Sequence, residues 1–132
     1  MKCSKCLLLL LFSISFTQLP AQTLKRKFRG IYAGQIPSYE VKFGQGTNTV
    51  SECELKVYLS RDSLKLEVGT YRYASGYTLE IVEQDLILTA PREQSGIAER
   101  FILSPRTKTI LRKGLYPQPD ATLIRIGKLP RR

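Results

Sequence analysis

The side chains best suited to bind a ligand in this sequence are cations and tyrosines, because the chain contains no histidine and no tryptophan. Histidine is the commonest general base near neutral pH, so its absence excludes Ser/His triads, Cys/His dyads and most zinc sites. Glu52 and Glu54 alternate along one predicted strand, and Glu80 and Glu83 straddle a predicted turn, so neither pair is typical of acid–base catalysis. We therefore predict a protein that is not an enzyme and that uses no cofactor and no metal.

The positive charge is concentrated near the C-terminus. From Gln22 to Glu99 the ten basic and ten acidic residues cancel, whereas the segment from Arg100 to Arg132 holds nine Lys or Arg and only Asp120 as an acid. A surface of one sign attracts polyanions or anionic membranes. We expect either that an anionic polysaccharide or membrane surface binds this segment, or that its cations are ordinary solvated strand faces. The candidate contacts are Arg100, Arg112, Lys113 and Arg125.

Nucleic acid is not an expected partner of these basic residues. Stacking aromatic side chains are not interleaved with them, and no DNA- or RNA-binding motif is present. A second basic cluster, Lys25 to Arg29, lies far from the first in the sequence.

Three tyrosines are candidates for an apolar site. Tyr71, Tyr73 and Tyr77 share one parity along a predicted strand, so their side chains should point to the same face of a sheet. A small barrel of eight strands either fills its interior with side chains or holds one small ligand. These tyrosines either belong to the core or line a cavity for a small apolar ligand.

The segment from Gly114 to Asp120 contains two prolines around Gln118, which fix the backbone and remove two hydrogen-bond donors. It is therefore expected to be a stiff loop rather than a central strand. Either the loop covers one end of the barrel with Tyr116 packed inward, or it presents a rim to a ligand with Lys113 beside it.

The period that dominates the remaining sequence is two residues, which indicates strands. No helix is predicted after residue 21, the stretch 71–81 is expected to be one long strand or two strands bent near Ser75 and Gly76, and residues 44–48 are expected to be a flexible loop. The pattern predicts an all-β protein, an antiparallel meander of eight or nine strands forming a small barrel, with a β-sandwich as the alternative. The predicted strands cover residues 28–32, 39–43, 55–59, 64–68, 71–81, 86–90, 97–103, 108–113 and 122–126.

The register of the hairpin around Pro105 is left open by the sequence. A three-residue loop would place Phe101 opposite Leu111 and Arg100 opposite Arg112, whereas a two-residue loop would place Glu99 opposite Arg112. Because side chains alternate between the two faces of a strand, these two registers send different residues to the interior.

The first residues are typical of a secretory signal peptide. Basic residues precede an apolar run, Leu7 to Phe16, which is too short to span a membrane, and Ala21 follows at the expected cleavage site. We predict a signal peptide over 1–21, a single barrel domain over 22–132 with no transmembrane segment, and a secreted or periplasmic location. The mature chain would retain only Cys53, which is expected to be unpaired and at least partly buried.

Residues 30–71 resemble the start of the N-terminal domain of the NlpE-type copper-stress lipoproteins. The matching residues are Gly34 to Pro37, the alternating Leu55, Val57 and Leu59, and then Asp62 and Tyr71. The resemblance implies a calycin-like barrel and an envelope location. The cysteine pair and the lipid-attachment cysteine of that family are missing here, so neither metal sensing nor lipid anchoring is implied.

These observations favour a non-catalytic binding module, whose ligand is a small apolar molecule or an anionic envelope polymer. The alternative is a protein inhibitor or an envelope interaction protein that acts through a rigid loop. A filled or a hollow barrel interior would distinguish a core role from a ligand role for the tyrosines.

Overall fold

The computed structural model describes residues 22–92 and 96–131. The predicted signal peptide and its cleavage bond lie outside the described residues. The strands are β1 (Gly30–Ile36), β2 (Tyr39–Phe43), β3 (Gly46–Val50), β4 (Cys53–Leu59), β5 (Ser63–Val68), β6 (Tyr71–Gly76), β7 (Thr78–Val82), β8 (Asp85–Pro91), β9 (Ala98–Ser104), β10 (Thr109–Lys113) and β11 (Ala121–Gly127).

Nine of these strands form one antiparallel sheet in the order β6, β5, β4, β1, β11, β10, β9, β8, β7. Its two edge strands, β6 and β7, follow each other in the chain with only Tyr77 between them. A single bent stretch, residues 71–82, therefore pairs with β5 along its first half and with β8 along its second half. This stretch nearly closes the sheet into a barrel, which confirms the predicted all-β antiparallel barrel and the predicted bend in this strand.

The interior of the barrel is filled by side chains. On β1 the even-numbered residues Tyr32 and Ile36 are buried, and on β4 the odd-numbered residues that face the same side are buried. Leucine is the commonest residue in this core, which also contains Phe101 and Ile110. The alternation that the sequence shows along β4 and β5 is thus the alternation between core and solvent.

The segment before β1 closes one end of the barrel, which we call the plug end. A short 3₁₀ helix, Arg26–Phe28, places the Phe28 ring in the core, and Leu24 is fully buried beside it. The Tyr32 hydroxyl donates to the Phe28 carbonyl at 2.7 Å, and the Arg29 guanidinium donates to the Leu24 carbonyl at 2.8–2.9 Å. The turns between β4 and β5, β7 and β8, and β9 and β10 lie at this same end.

The opposite end, which we call the loop end, carries the β8–β9 and β10–β11 connections and a separate hairpin. That hairpin corrects the predicted loop over 44–48, because β2 and β3 pair with each other through a turn at Gly44, whose φ is +56°. Every residue of β3 is exposed. The alternation that marks a half-buried strand is therefore missing from this strand.

The hairpin of β9 and β10 has neither of the two registers considered from the sequence. Its turn contains four residues, Pro105 to Lys108, and Phe101 lies opposite Arg112. Lys108 adopts a φ of +55° in this turn, and its amide donates to the Ser104 carbonyl at 2.9 Å. This turn has one residue more than the three-residue turn considered from the sequence. The added residue shifts the register, so that Arg112 rather than Leu111 lies opposite Phe101 and faces the interior of the barrel.

Candidate functional site

The loop end contains a buried ion-pair cluster. The Glu99 carboxylate accepts two hydrogen bonds from the Arg112 guanidinium, at 3.1 Å from Nε and 3.0 Å from Nη2, and its Oε1 lies 3.0 Å from Nη2 of Arg92. Glu99 and Arg112 are only 1% and 2% exposed. Both residues lie on the inward face of their strands, so the cluster forms the polar top of an otherwise apolar core.

The stiff loop between β10 and β11 is attached to this cluster. The Arg112 Nη1 donates to the side-chain oxygen of Gln118 at 2.6 Å. The Asp120 carboxylate accepts from the Gly114 amide at 2.8 Å and from the Lys113 ammonium at 2.9 Å. The Lys113 hydrogen bond, and then that of the Gly114 amide, lower the pKa of Asp120 below its ordinary value.

Tyr116 lies at the outermost part of this loop, and its side chain is 99% exposed. The expectation that Tyr116 packs inward is therefore wrong. The loop is held by Gln118 and Asp120 on one side of the tyrosine and by Lys113 on the other, so Tyr116 is free to point away from the barrel.

The four cations predicted to form one basic face do not share a face. Arg112 is buried, and Arg125 lies on the inward side of β11, where its Nη2 donates to the Arg29 carbonyl at 2.9 Å. Arg125 occupies the space above Gly30, because a Cβ atom added to that glycine would lie 2.9 Å from the Arg125 Nε. Only Arg100 and Lys113 are exposed, and they are opposite each other on β9 and β10.

The three candidate tyrosines differ in their surroundings. Tyr71 is exposed at the start of β6, whereas Tyr73 and Tyr77 pack against the core. The Tyr77 hydroxyl donates a hydrogen bond that is shared by the carbonyl oxygens of Ser60 and Arg61, at 2.7 and 2.8 Å. Burial raises the pKa of Tyr77 to about 12. Tyr77 therefore attaches the bent strand to the β4–β5 turn.

The plug end brings together cations that the sequence keeps far apart. Lys25 and Lys27 precede β1, and Arg106 and Lys108 lie in the β9–β10 turn at the same end of the barrel. All four are exposed, and none forms an ion pair within residues 22–92 and 96–131. This shared position is not evident from the sequence, because only the antiparallel order of the strands places the turn after β9 at the same end of the barrel as the start of β1.

A groove of about 390 Å³ opens beside these cations. Its apolar lining comes from Phe28, from Leu79 and Ile81 on β7, from Leu86 on β8, and from Pro105. Lys25 and Lys27 stand on its rim. None of the three candidate tyrosines lines this groove.

No family model, curated protein or solved structure matches this chain. The resemblance of residues 30–71 to the NlpE-type lipoproteins stays a prediction.

Among the residues that the structure describes, no group of three metal-ligating side chains occurs, and no helix has the length and hydropathy to cross a membrane. Cys53 is half-buried at the start of β4 and has no disulfide partner in the described ranges; its Sγ lies 3.6 Å from the Glu54 carbonyl oxygen.

Proposed function

We propose that this protein is a secreted or periplasmic binding module, without catalytic activity, whose plug end binds an anionic envelope polymer. The observation that carries the proposal is the set of exposed cations without ion pairs at the plug end. The exposed Lys25, Lys27, Arg106 and Lys108 at this end outnumber the exposed acids Asp62, Glu83 and Asp85 of the neighbouring turns. An excess of exposed positive charge attracts a polyanion over distances of roughly the Debye length, about 8 Å at physiological ionic strength.

Ion pairing distinguishes this end from other basic parts of the chain. Arg92, Arg112 and Lys113 at the loop end each lie within 3.0 Å of a carboxylate oxygen, so much of their charge is already balanced. The cations at the plug end keep theirs available for a ligand. The export of the protein, which the sequence of residues 1–21 predicts, would bring this end into contact with envelope polymers.

A small apolar ligand inside the barrel is less well supported. The interior positions hold bulky side chains such as Tyr32, Phe101 and Leu123, all of them fully buried. Barrels of this size that fill their interior with side chains leave no room for a second molecule. The proposal therefore places the ligand on the outside of the barrel.

Chromatography on immobilised heparin tests the proposal. We expect the protein to be retained and to elute as salt rises, and we expect the variant Lys25→Glu/Lys27→Glu/Arg106→Glu/Lys108→Glu to elute in the lowest salt. The matched control is Lys42→Glu/Arg72→Glu/Arg100→Glu/Lys113→Glu, which reverses the same number of exposed charges away from the plug end and should change elution far less. Equal losses in the two variants would show that net charge alone determines retention and would contradict a site at the plug end.

An interaction protein that acts through its rigid loop is the second candidate. The observation that favours it is Tyr116, an aromatic side chain fully exposed on a loop that is held by Gln118 and Asp120. Exposed tyrosines are frequent anchors of protein interfaces. Binding of this kind would be lost in Tyr116→Ala and would respond weakly to salt, which separates it from polymer binding at the plug end.

A further inference from the structure

The groove at the plug end combines an apolar floor with a positively charged rim. Ile81 is 55% exposed on that floor, next to Leu79, Leu86 and Pro105. Contiguous exposed apolar surface next to a polar rim is typical of a binding site rather than of ordinary solvated surface. The floor therefore fits the hydrocarbon part of a ligand.

The charged residues that line the groove have one sign. Lys25 and Lys27 are its charged lining residues, and no Asp or Glu is among the lining residues in the described part of the chain. The Lys27 ammonium lies 4.9 Å from the centroid of the Phe28 ring, so one cation stands where the apolar floor ends. The polar lining is completed by Gln22 and Thr23, which can donate hydrogen bonds to an anion.

We propose that this groove binds a single-chain anionic amphiphile, a free fatty carboxylate, with the acyl chain along Leu79, Ile81 and Leu86 and the carboxylate between Lys25 and Lys27. This amphiphile site rests on the proposed function in one respect, because Lys25 and Lys27 are also two of the cations proposed to bind the polymer. The volume, about 390 Å³, lies near the lower limit of small-molecule sites. It therefore suits one chain rather than the two chains of a bilayer phospholipid.

Isothermal titration calorimetry with monomeric fatty carboxylates of eight to twelve carbons, below the concentration at which they form micelles, tests the proposal. Each added methylene should raise the affinity of the purified protein, by up to roughly fourfold if it is fully buried. Dodecanol, which has the same chain and no charge, should bind more weakly than dodecanoate. Raising the salt concentration should reduce that difference.

Two pairs of variants locate the site. Ile81→Ser should remove most of the dependence on chain length, whereas the matched control Ile124→Ser, at a residue 59% exposed on β11, should leave it unchanged. Lys25→Ala/Lys27→Ala should remove the preference for dodecanoate over dodecanol, and the control Arg100→Ala/Lys113→Ala, at exposed cations of the loop end, should retain it.

The outcomes separate this proposal from the proposed function. Affinity that does not change with chain length, or equal effects of Ile81→Ser and Ile124→Ser, would overturn the amphiphile site even if heparin retention persists. Loss of heparin retention with intact dodecanoate binding would overturn the polymer proposal alone. Binding to vesicles of anionic phospholipid without binding to monomeric dodecanoate would replace the free amphiphile with a membrane surface.

Discussion

The two ends of this barrel are both rich in cations, and they use them in opposite ways. At the loop end, Arg92 and Arg112 surround one buried carboxylate, Glu99. At the plug end, Lys25, Lys27 and Arg106 are exposed and form no ion pair within the described residues. The number of cations in a segment therefore does not indicate the role of that segment. Arginine stabilises the core at the loop end, whereas at the plug end it is available to a ligand.

The difference follows from where each cation lies in its local element. Arg112 occupies an inward position of β10, so its guanidinium is removed from water and requires a partner. Arg106 lies in the turn that precedes β10, where the side chain points into solvent and needs none. Arg106 and Arg112 are thus only a few residues apart in the chain, yet Arg112 stabilises the core and Arg106 is available to a ligand.

The largest expected effect is loss of stability at the loop end. Arg112→Ala should lower the free energy of unfolding by about 3 kcal/mol, at the lower end of the range for a broken buried ion pair, because the buried Glu99 carboxylate keeps only its contact with Arg92. Arg106→Ala, the same change at the plug end, should alter it by about 0.5 kcal/mol or less. Urea denaturation of both variants measures the difference.

Unfolding of Arg112→Ala and Arg106→Ala at the same urea concentration would contradict the difference proposed between the two ends of the barrel. A third variant, Glu99→Leu/Arg112→Leu, tests the cause. Replacing a buried ion pair by apolar residues is often neutral or stabilising, so this double variant should be clearly more stable than Arg112→Ala. Equal stability of the two would mean that lost packing, rather than an uncompensated charge, causes the defect.

A smaller effect is expected at Tyr77, which holds the bent strand to the β4–β5 turn near the plug end. Tyr77→Phe should lower the free energy of unfolding by about 1 kcal/mol, because it removes the hydrogen bond that is shared by the Ser60 and Arg61 carbonyls. Tyr71→Phe, at an exposed tyrosine of the same strand, is the matched control and should have little effect.

The pH dependence of this contact distinguishes it from the ion pairs of the loop end. Burial raises the pKa of Tyr77 from 10.0 to about 12, so the folded protein retains a proton that the unfolded chain loses. The contribution of Tyr77 is thus fully present below pH 10 and is lost as pH rises from 10 to about 12. Wild type should approach the stability of Tyr77→Phe over that range, as measured by denaturation at each pH.

The smallest effect is expected at the exposed pair of Lys113 and Asp120. The Lys113 hydrogen bond and the Gly114 amide lower the pKa of Asp120, so Lys113→Ala should move this pKa back toward the ordinary value of 3.8. The contribution of Asp120 to stability is present above the ordinary pKa and is lost as pH falls through the lowered one. NMR titration of the Asp120 carboxyl measures the shift, and Arg100→Ala, at the residue opposite Lys113, should not change it.

The sequence predicted strands best where one face is buried and the other solvated. Leu55, Val57 and Leu59 alternate with polar residues, and in the structure they are core residues of β4. The strand β2 was predicted at residues 39–43, but β3 was missed because every residue in it is exposed and it has no apolar alternation to detect. The register of β9 against β10 was missed because it depends on the length of the turn at Pro105, which the pattern of apolar residues does not determine.

The candidate site shows the same division. The alternation along the strands, the lack of histidine and the excess of cations after Glu99 are evident from the sequence. The inward positions of Arg112 and Arg125, and the location of Lys25 and Arg106 at one end of the barrel, depend on how the strands are arranged in the fold. The physical reason is that the alternation along a strand is a local property of the sequence. Whether a cation is available to a ligand depends instead on which turns the antiparallel order places at the same end and on which carboxylates lie within a few ångströms of it.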